Sequence, residues 1–180
     1  MTFNVRIQEV YNGLNRFTFT VTVMKLILST LVAALLLITP ARADEFNCLV
    51  EALYHEARSE DMIPILAVAN VILTRVAHSK FPDTICEVVH QGRYWNGHPI
   101  RDKCHFSYWC DGRDERYTDM AGLIKVINVA EMSLKGVLVK QTVGATHYHA
   151  SYVTPQWASN PSFKPLGQLG THLFYLDMSR

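Results

Sequence analysis

Residues 64–77 read Pro-Ile-Leu-Ala-Val-Ala-Asn-Val-Ile-Leu-Thr-Arg-Val-Ala, the most continuously apolar helical pattern of the expected domain. Proline suits the first turn of a helix, and only Asn70, Thr74 and Arg75 among the residues that follow are polar. A helix that is apolar on nearly every side is buried at the centre of a domain. The segment therefore predicts a central helix, and its few polar side chains are expected to make internal hydrogen bonds.

The rest of the chain is predicted from the period of its apolar residues. Helices are predicted over residues 46–58, 83–90 and 118–135, and strands over residues 137–143, 146–153 and 170–176. Irregular segments are predicted over residues 91–117 and 155–167. Helices followed by a small antiparallel sheet define an α+β domain.

Composition limits the possible functions of the 180-residue chain. This length allows one domain with a substantial core. The 17 basic and 16 acidic residues provide no polybasic surface, so nucleic acid is not an expected partner. The 18% of charged and 11% of aromatic residues exclude a disordered chain.

The N-terminal part of the chain resembles an export signal. Residues 26–38 are apolar, Lys25 precedes them, and Ala41-Arg-Ala43 has the form of a cleavage site. We expect translation to start at Met24 and cleavage to follow Ala43, so that residues 1–43 are an extension with a signal peptide. Residues 44–180 then form the exported domain, in the periplasm or the cell wall. The alternative is a retained anchor, but the apolar run is shorter than the roughly 18 residues of a membrane span.

All four cysteines lie in the expected exported domain. An even number of cysteines in an exported domain favours disulfides, and four cysteines allow three connectivities. Pairing of Cys48 with Cys86 and of Cys104 with Cys110 is favoured because the second bond closes a short loop.

A carboxylate interrupts the apolar face of the first predicted helix. Leu49, Ala52 and Leu53 define this face, and its next position is Glu56. Burial raises the pKa of a carboxyl group, as a general acid requires at neutral pH. The alternative is a structural glutamate that pairs with an arginine or caps a helix.

Aromatic residues are concentrated in the segment 91–117. They are Tyr94, Trp95, Phe106, Tyr108 and Trp109. Such rings suit a binding cleft in which sugars stack, and the alternative is a small local core beneath the loop.

The sequence gives less support to two other chemistries, a zinc site and a serine hydrolase. His147 and His149 would share a strand face and, with His105, Cys104 and Cys110, would suit zinc. No zinc-protease helix motif occurs and the cysteines are expected in disulfides, so we expect no metal and no cofactor. No serine-hydrolase G-x-S-x-G turn occurs either.

A glycosidase accounts for the buried position of Glu56 better than a zinc enzyme or a serine hydrolase does. Hydrolysis ordinarily requires a second carboxylate, for which Asp111 and Glu60 are the candidates. A lytic transglycosylase does without it, because the C6 hydroxyl of the substrate attacks the anomeric carbon and a 1,6-anhydro sugar results.

Several blocks of the sequence together resemble the SleB/CwlJ-type cell wall hydrolases. They follow the order of that family and comprise residues 48–60, 67–76, 81–86, 104–112, 144–149, 155–157 and 170–174. The chain departs from the usual Glu-Ala-Arg-Gly-Glu run at Ser59, which replaces glycine. The resemblance covers nearly all of the expected exported domain.

This resemblance implies a lysozyme-like helical core and an enzyme that cleaves peptidoglycan. The catalytic glutamate of the family matches Glu56, Ser107 is expected on the cleft wall, and Tyr148 matches a tyrosine of the pocket. His149 stands where some members carry asparagine. His172 lies in a matching block and is interpreted as structural.

The sequence therefore predicts a monomeric enzyme that cleaves between N-acetylmuramic acid and N-acetylglucosamine, with Glu56 as general acid and then base. The further candidates for substrate binding are Phe106, Trp95, Trp109 and Trp157. Two rivals remain, namely hydrolysis with Asp111 as helper and a wall-binding domain without activity.

Overall fold

In the computed structural model, which describes residues 44–179, the apolar segment forms helix α2, Met62–Val76. Asn70 and Arg75 are buried together with the apolar residues of this helix. The predicted central helix is therefore confirmed, and it begins two residues before Pro64. The expected signal peptide and the start at Met24 lie outside the described residues.

The described part of the chain contains three other α-helices. The described part of α1 covers residues 44–57, α3 is Ile85–Val89, and α4 is Met120–Leu134. Helix α2 packs against α3 and α4. Within the described part of the chain, no helix is long and apolar enough to cross a membrane.

Helix α1 is joined to its neighbours at two points. Cys48 is bonded to Cys86 of α3. Near its end, the hydroxyl oxygen of buried Tyr54 accepts hydrogen bonds from the backbone N–H groups of Thr118 and Asp119, at 2.8 and 2.7 Å. These bonds fix α1 beside the start of α4.

A two-stranded hairpin replaces much of the irregular segment predicted over residues 91–117. Strands β1 (Gly92–Trp95) and β2 (His98–Cys104) are antiparallel and are joined by Asn96 and Gly97. Both joining residues have positive φ angles, 48° and 80°. Asn-Gly is the strongest short-range hairpin signal, so Asn96-Gly97 is a local sequence feature that favours this hairpin.

The C-terminal sheet has the strand order β3-β5-β4 and is antiparallel. Strands β3 (His147–Ala150) and β5 (His172–Asp177) lie within or close to predicted strands. Strand β4 (Phe163–Leu169) lies partly in the segment predicted to be irregular. Its Pro165 is tolerated because β4 is an edge strand, and the pairing is irregular between Pro165 and Gly167.

The strand predicted over residues 137–143 is wrong. The amide of Asn70 donates to the carbonyl of Val137 at 3.0 Å and accepts from the N–H of Val139 at 2.8 Å. The N–H of Val137 binds the carbonyl of Met132 in α4. Because these backbone groups are already bonded, they are not available to a sheet. The mixed α+β architecture is nevertheless as predicted.

The two disulfides, Cys48–Cys86 and Cys104–Cys110, are the pairs that the sequence favoured. Their partners are 38 and 6 residues apart. If a disulfide stabilises by restricting the unfolded chain, alanine replacement of the first pair lowers the free energy of unfolding by about 4 kcal/mol, and of the second by about 2 kcal/mol. Urea unfolding of the two double variants measures the difference. A larger loss for the second pair would contradict this order.

Candidate active site

A cleft of about 340 Å³ lies where the end of α1 meets the start of β3 and the segment that follows β2. The residues that line it come from α1, α2, the segment after β2, strand β3 with the turn that follows it, and β5. They are His55, Glu56, Arg75, His105, Phe106, Ser107, Tyr148, His149, Ala150, Tyr152 and His172.

Glu56 enters this cleft from the last turn of α1. The predicted face is confirmed, because Leu49, Ala52 and Leu53 are fully buried and Glu56 follows them in register. Burial raises the pKa of Glu56 above its ordinary value. Hydrogen bonds from Tyr148 and the Ser107 backbone and the charge of Arg75 act against this rise without cancelling it. The group therefore retains its proton to a higher pH than an exposed glutamate does.

Tyr148 approaches the carboxyl group from β3. Its hydroxyl donates to Oε2 of Glu56 at 3.1 Å. Burial and the negative charge of Glu56 raise the pKa of Tyr148 well above its ordinary value, so the phenol remains a donor. Strand β3 holds this residue through its pairing with Phe174 of β5.

Arg75 contributes a buried positive charge that the sequence analysis did not assign to the site. Its Nε donates to the carbonyl of Thr146 at 2.7 Å, and its guanidinium lies over the rings of Phe81 and Phe106 at 5.2 and 5.4 Å. A charge in an otherwise apolar helix was the signal for it, because such a group is buried only when it is paired.

His172 also lines the cleft, in addition to the structural role that was predicted for it. Its ring packs edge-on against Tyr148, with 5.3 Å between centroids. Its Nδ1 lies 3.9 Å from Oε1 of Glu60, whose carboxylate also accepts the N–H of Thr171 at 3.1 Å. Burial lowers the pKa of His172, which is therefore neutral at pH 7.

The structure brings together five residues that the sequence proposed for the site, namely Glu56, Phe106, Ser107, Tyr148 and His149. His149 is fixed by contacts of its Nδ1 with the carbonyl of Ala150 at 2.9 Å and of its Nε2 with the hydroxyl of Tyr175 at 3.0 Å. The Phe106 ring is fully buried, whereas Ser107 is exposed.

The other four candidates do not line the cleft. Trp109 stacks on His90, and Trp95 is 72% exposed on the hairpin. Trp157 packs against Phe163 and Tyr175, among other rings. Asp111, the proposed helper carboxylate, accepts the backbone N–H of Arg113 at 2.8 Å. Proximity in sequence to the aromatic segment 91–117 therefore did not place Trp95, Trp109 or Asp111 beside Glu56.

The alternative zinc site would have used Cys104 and Cys110 as sulfur ligands, but these two residues form a disulfide. His147 lies among aromatic rings, and burial lowers its pKa to about 4. Among residues 44–179 there is no group of three or more potential metal ligands.

Two solved structures resemble this domain. One is the catalytic domain of the germination-specific lytic transglycosylase SleB from Bacillus anthracis, with 24% identity, a TM-score of 0.53, and coverage of 73% of this chain and 93% of that one. The other is the catalytic domain of the Bacillus cereus SleB protein, with 22% identity, a TM-score of 0.52, and coverage of 74% and 90%. At these identities the likeness establishes a shared fold.

The sequence itself matches the model of a protein family, described as cell wall hydrolase, over residues 59–175. The match covers more than half of the chain and begins three positions after Glu56. No curated protein sequence matches the chain. The chain belongs to the cell wall hydrolase family and is an enzyme that acts on peptidoglycan.

Proposed function

We propose that this enzyme is a lytic transglycosylase that cleaves peptidoglycan glycan strands between N-acetylmuramic acid and N-acetylglucosamine, with Glu56 as general acid and then general base. One observation carries the proposal. Among the described residues that line the cleft, Glu56 is the only carboxylate, and burial raises its pKa.

The hydrogen bond from Tyr148 orients the acid. Because the phenol donates to Oε2 of Glu56, the acidic proton belongs on Oε1. In the proposed first step this proton moves to the glycosidic oxygen as the bond from that oxygen to C1 of N-acetylmuramic acid breaks. Glu56 becomes a carboxylate, and N-acetylglucosamine leaves with a free hydroxyl.

In the second step the C6 hydroxyl of the same N-acetylmuramic acid attacks C1. Glu56 accepts the hydroxyl proton as the new bond between oxygen and C1 forms. The product is a 1,6-anhydro sugar, and the carboxyl group regains the proton that it donated. The reaction consumes no water.

The carboxylate that forms between the two steps is stabilised by the surroundings of Glu56. Arg75 supplies a positive charge, and Tyr148 supplies a hydrogen bond. Hydrogen bonds to a charged group are stronger than those to a neutral one. Arg75 and Tyr148 therefore favour the ionised form of Glu56, while burial favours the protonated form. Because the two effects oppose each other, the carboxyl group can alternate between the two protonation states.

Hydrolysis with a second carboxylate is less well supported. Asp111 lies outside the cleft and contacts Arg113, and the carboxylate of Glu60 accepts from Thr171. The structurally similar SleB domain of B. anthracis is described as a lytic transglycosylase, which agrees with the proposal. We assign substrate binding to Ser107, Tyr148 and His149, which line the cleft beside Glu56. The buried ring of Phe106 instead packs against the guanidinium of Arg75.

Export is part of the proposal. Residues 1–43 would direct the chain across the membrane and be removed after Ala43. Two disulfides in the described domain agree with an oxidising compartment. The enzyme would then act in the periplasm or the cell wall, as a monomer.

Replacement of Glu56 by Gln removes the acidic proton and keeps the side-chain shape. We expect release of soluble fragments from purified peptidoglycan to fall by at least about 100-fold. Mass spectrometry should detect 1,6-anhydro-muropeptides from the wild type. Reducing-end muropeptides would instead indicate hydrolysis, and binding without release would indicate a non-catalytic wall-binding domain.

Glu51→Gln is the matched control for this variant. Glu51 lies on α1, burial raises its pKa, and it does not line the cleft. This variant should retain wild-type activity. Because the folded-state pKa of Glu56 is raised, its ionisation removes stability as the pH rises through that pKa. Glu56→Gln should therefore unfold at the wild-type temperature or above it at pH 7, so a loss of activity would not reflect unfolding.

Tyr148→Phe tests whether the hydrogen bond from Tyr148 lowers the pKa of Glu56. The Tyr148 hydrogen bond lowers the pKa of Glu56, so its removal should shift the alkaline limb of the activity profile upward by about one pH unit. The maximal rate should fall at the same time, because the intermediate carboxylate loses a donor. Initial rates of fragment release across pH measure both effects. An unchanged or downward-shifted limb would contradict the assignment of this limb to Glu56.

A further inference from the structure

The disulfide between Cys104 and Cys110 encloses a segment that forms one wall of the catalytic cleft. The residues that directly follow Cys104 line this cleft, and they are His105, Phe106 and Ser107. The proposed reaction gives neither cysteine a role.

The backbone of Ser107 lies between two buried aromatic residues. Phe106 and Tyr108, on either side of it, are 1% and 4% exposed. The guanidinium of Arg75 lies 5.4 Å from the centre of the Phe106 ring, and the ring of Tyr108 stacks on His55 with 5.0 Å between centroids. Because both neighbouring side chains pack inside the domain, the position of this segment determines where the Ser107 backbone meets the cleft.

The backbone N–H of Ser107 donates to the carboxyl group of Glu56. Ser107 is the first residue of a short 3-10 helix, Ser107–Cys110. The first N–H groups of a helix have no acceptor within it, and among the described residues no backbone carbonyl outside that helix accepts this one. The donor is therefore available to Glu56, and a displacement of the segment would withdraw it.

Two contacts hold the C-terminal end of the segment. The indole of Trp109 stacks on His90, with 3.5 Å between centroids, and Cys110 is bonded to Cys104 at the end of β2. Beyond Cys110 the chain enters residues 111–119, which contain neither helix nor strand. Stacked rings can slide, whereas the disulfide fixes the two cysteine Cα atoms at 6.1 Å from each other. The covalent bond therefore closes the segment onto the hairpin before the chain becomes irregular.

We propose that Cys104 and Cys110 are a positioning pair whose disulfide keeps the backbone N–H of Ser107 directed at the carboxyl group of Glu56. The pair contacts no substrate and stays bonded throughout the reaction. The proposal rests on the proposed function, because it takes Glu56 as the acid and base. It distinguishes this disulfide from one that only stabilises the fold.

The first test removes this disulfide in the double variant Cys104→Ala/Cys110→Ala. The maximal rate at which 1,6-anhydro-muropeptides are released should fall about ten-fold or more, because a donor to the reacting carboxyl group is no longer held in place. The alkaline limb of the activity profile should also move to higher pH. The reason is that the N–H of Ser107 opposes the rise that burial causes in the pKa of Glu56.

Cys48→Ala/Cys86→Ala is the matched control. Its disulfide closes the longer loop, so its removal should cost more stability, but neither cysteine lines the cleft. At temperatures where thermal melting shows both double variants to be folded, the control should keep the wild-type maximal rate and pH profile. A larger loss of rate in the control would mean that activity follows stability alone, and it would overturn the proposal.

Ser107→Pro removes the donor and leaves the disulfide in place. Proline suits the first turn of a helix, and Phe106 before it has the extended backbone, with φ −103° and ψ 116°, that a following proline requires. This variant should reproduce the lower rate and the shifted limb, and removal of the disulfide from it should shift the limb no further. Ser107→Ala keeps the N–H and should keep the wild-type limb.

Reduction of the wild type is a second measurement of the disulfide, and it does not depend on the folding of a variant. The rate should fall as the bond between Cys104 and Cys110 opens, which alkylation and mass spectrometry identify, and reoxidation should restore it. A wild-type rate and limb in folded protein with this bond open would overturn the proposal, as would an unshifted limb in Ser107→Pro. Fragments released by Glu56→Gln, which retains both disulfides, would instead contradict the catalytic role of Glu56, so the two failures are distinguishable.

Discussion

The buried guanidinium of Arg75 is the constraint on which the site depends. A buried charge is tolerated only when it is paired, and Arg75 meets this condition through the carbonyl of Thr146, two aromatic rings and the nearby carboxyl of Glu56. The bond to Thr146 joins the central helix to the residue that precedes strand β3. The helical core and the sheet are thereby held in the positions that place Glu56 beside Tyr148.

The chemistry of Glu56 follows from this arrangement. Burial alone would keep the carboxyl protonated, whereas the Tyr148 hydroxyl and the Arg75 charge favour its ionised form. A proposed acid that must later act as a base needs both influences, because each step requires the opposite protonation state. The hydroxyl and the charge that favour the ionised form come from residues distant from Glu56 in sequence. Tyr148, for example, is 92 positions away. The site therefore exists only in the folded domain.

The errors in the predicted elements have identifiable causes. A change in the period of the apolar residues after α4 indicated a strand over residues 137–143, but Asn70 and the end of α4 bind backbone groups of Val137 and Val139. Pro165 suggested a loop, and it was tolerated because β4 is the edge of its sheet. The β1–β2 hairpin differs from these two elements, because Asn96-Gly97 is a local sequence signal for it and both residues adopt the positive φ angles that the turn requires.

The central helix, the α+β class and the unusual position of Glu56 on a buried face were predictable from the amino-acid sequence, because helical periodicity is a local property. It also favoured the disulfide pairs that the structure contains. The folded domain was needed to show that Arg75 and His172 line the cleft and that Trp95, Trp109, Trp157 and Asp111 do not. The physical reason is that the composition of a cleft depends on contacts between elements far apart in the chain, and the period of any one element does not specify them.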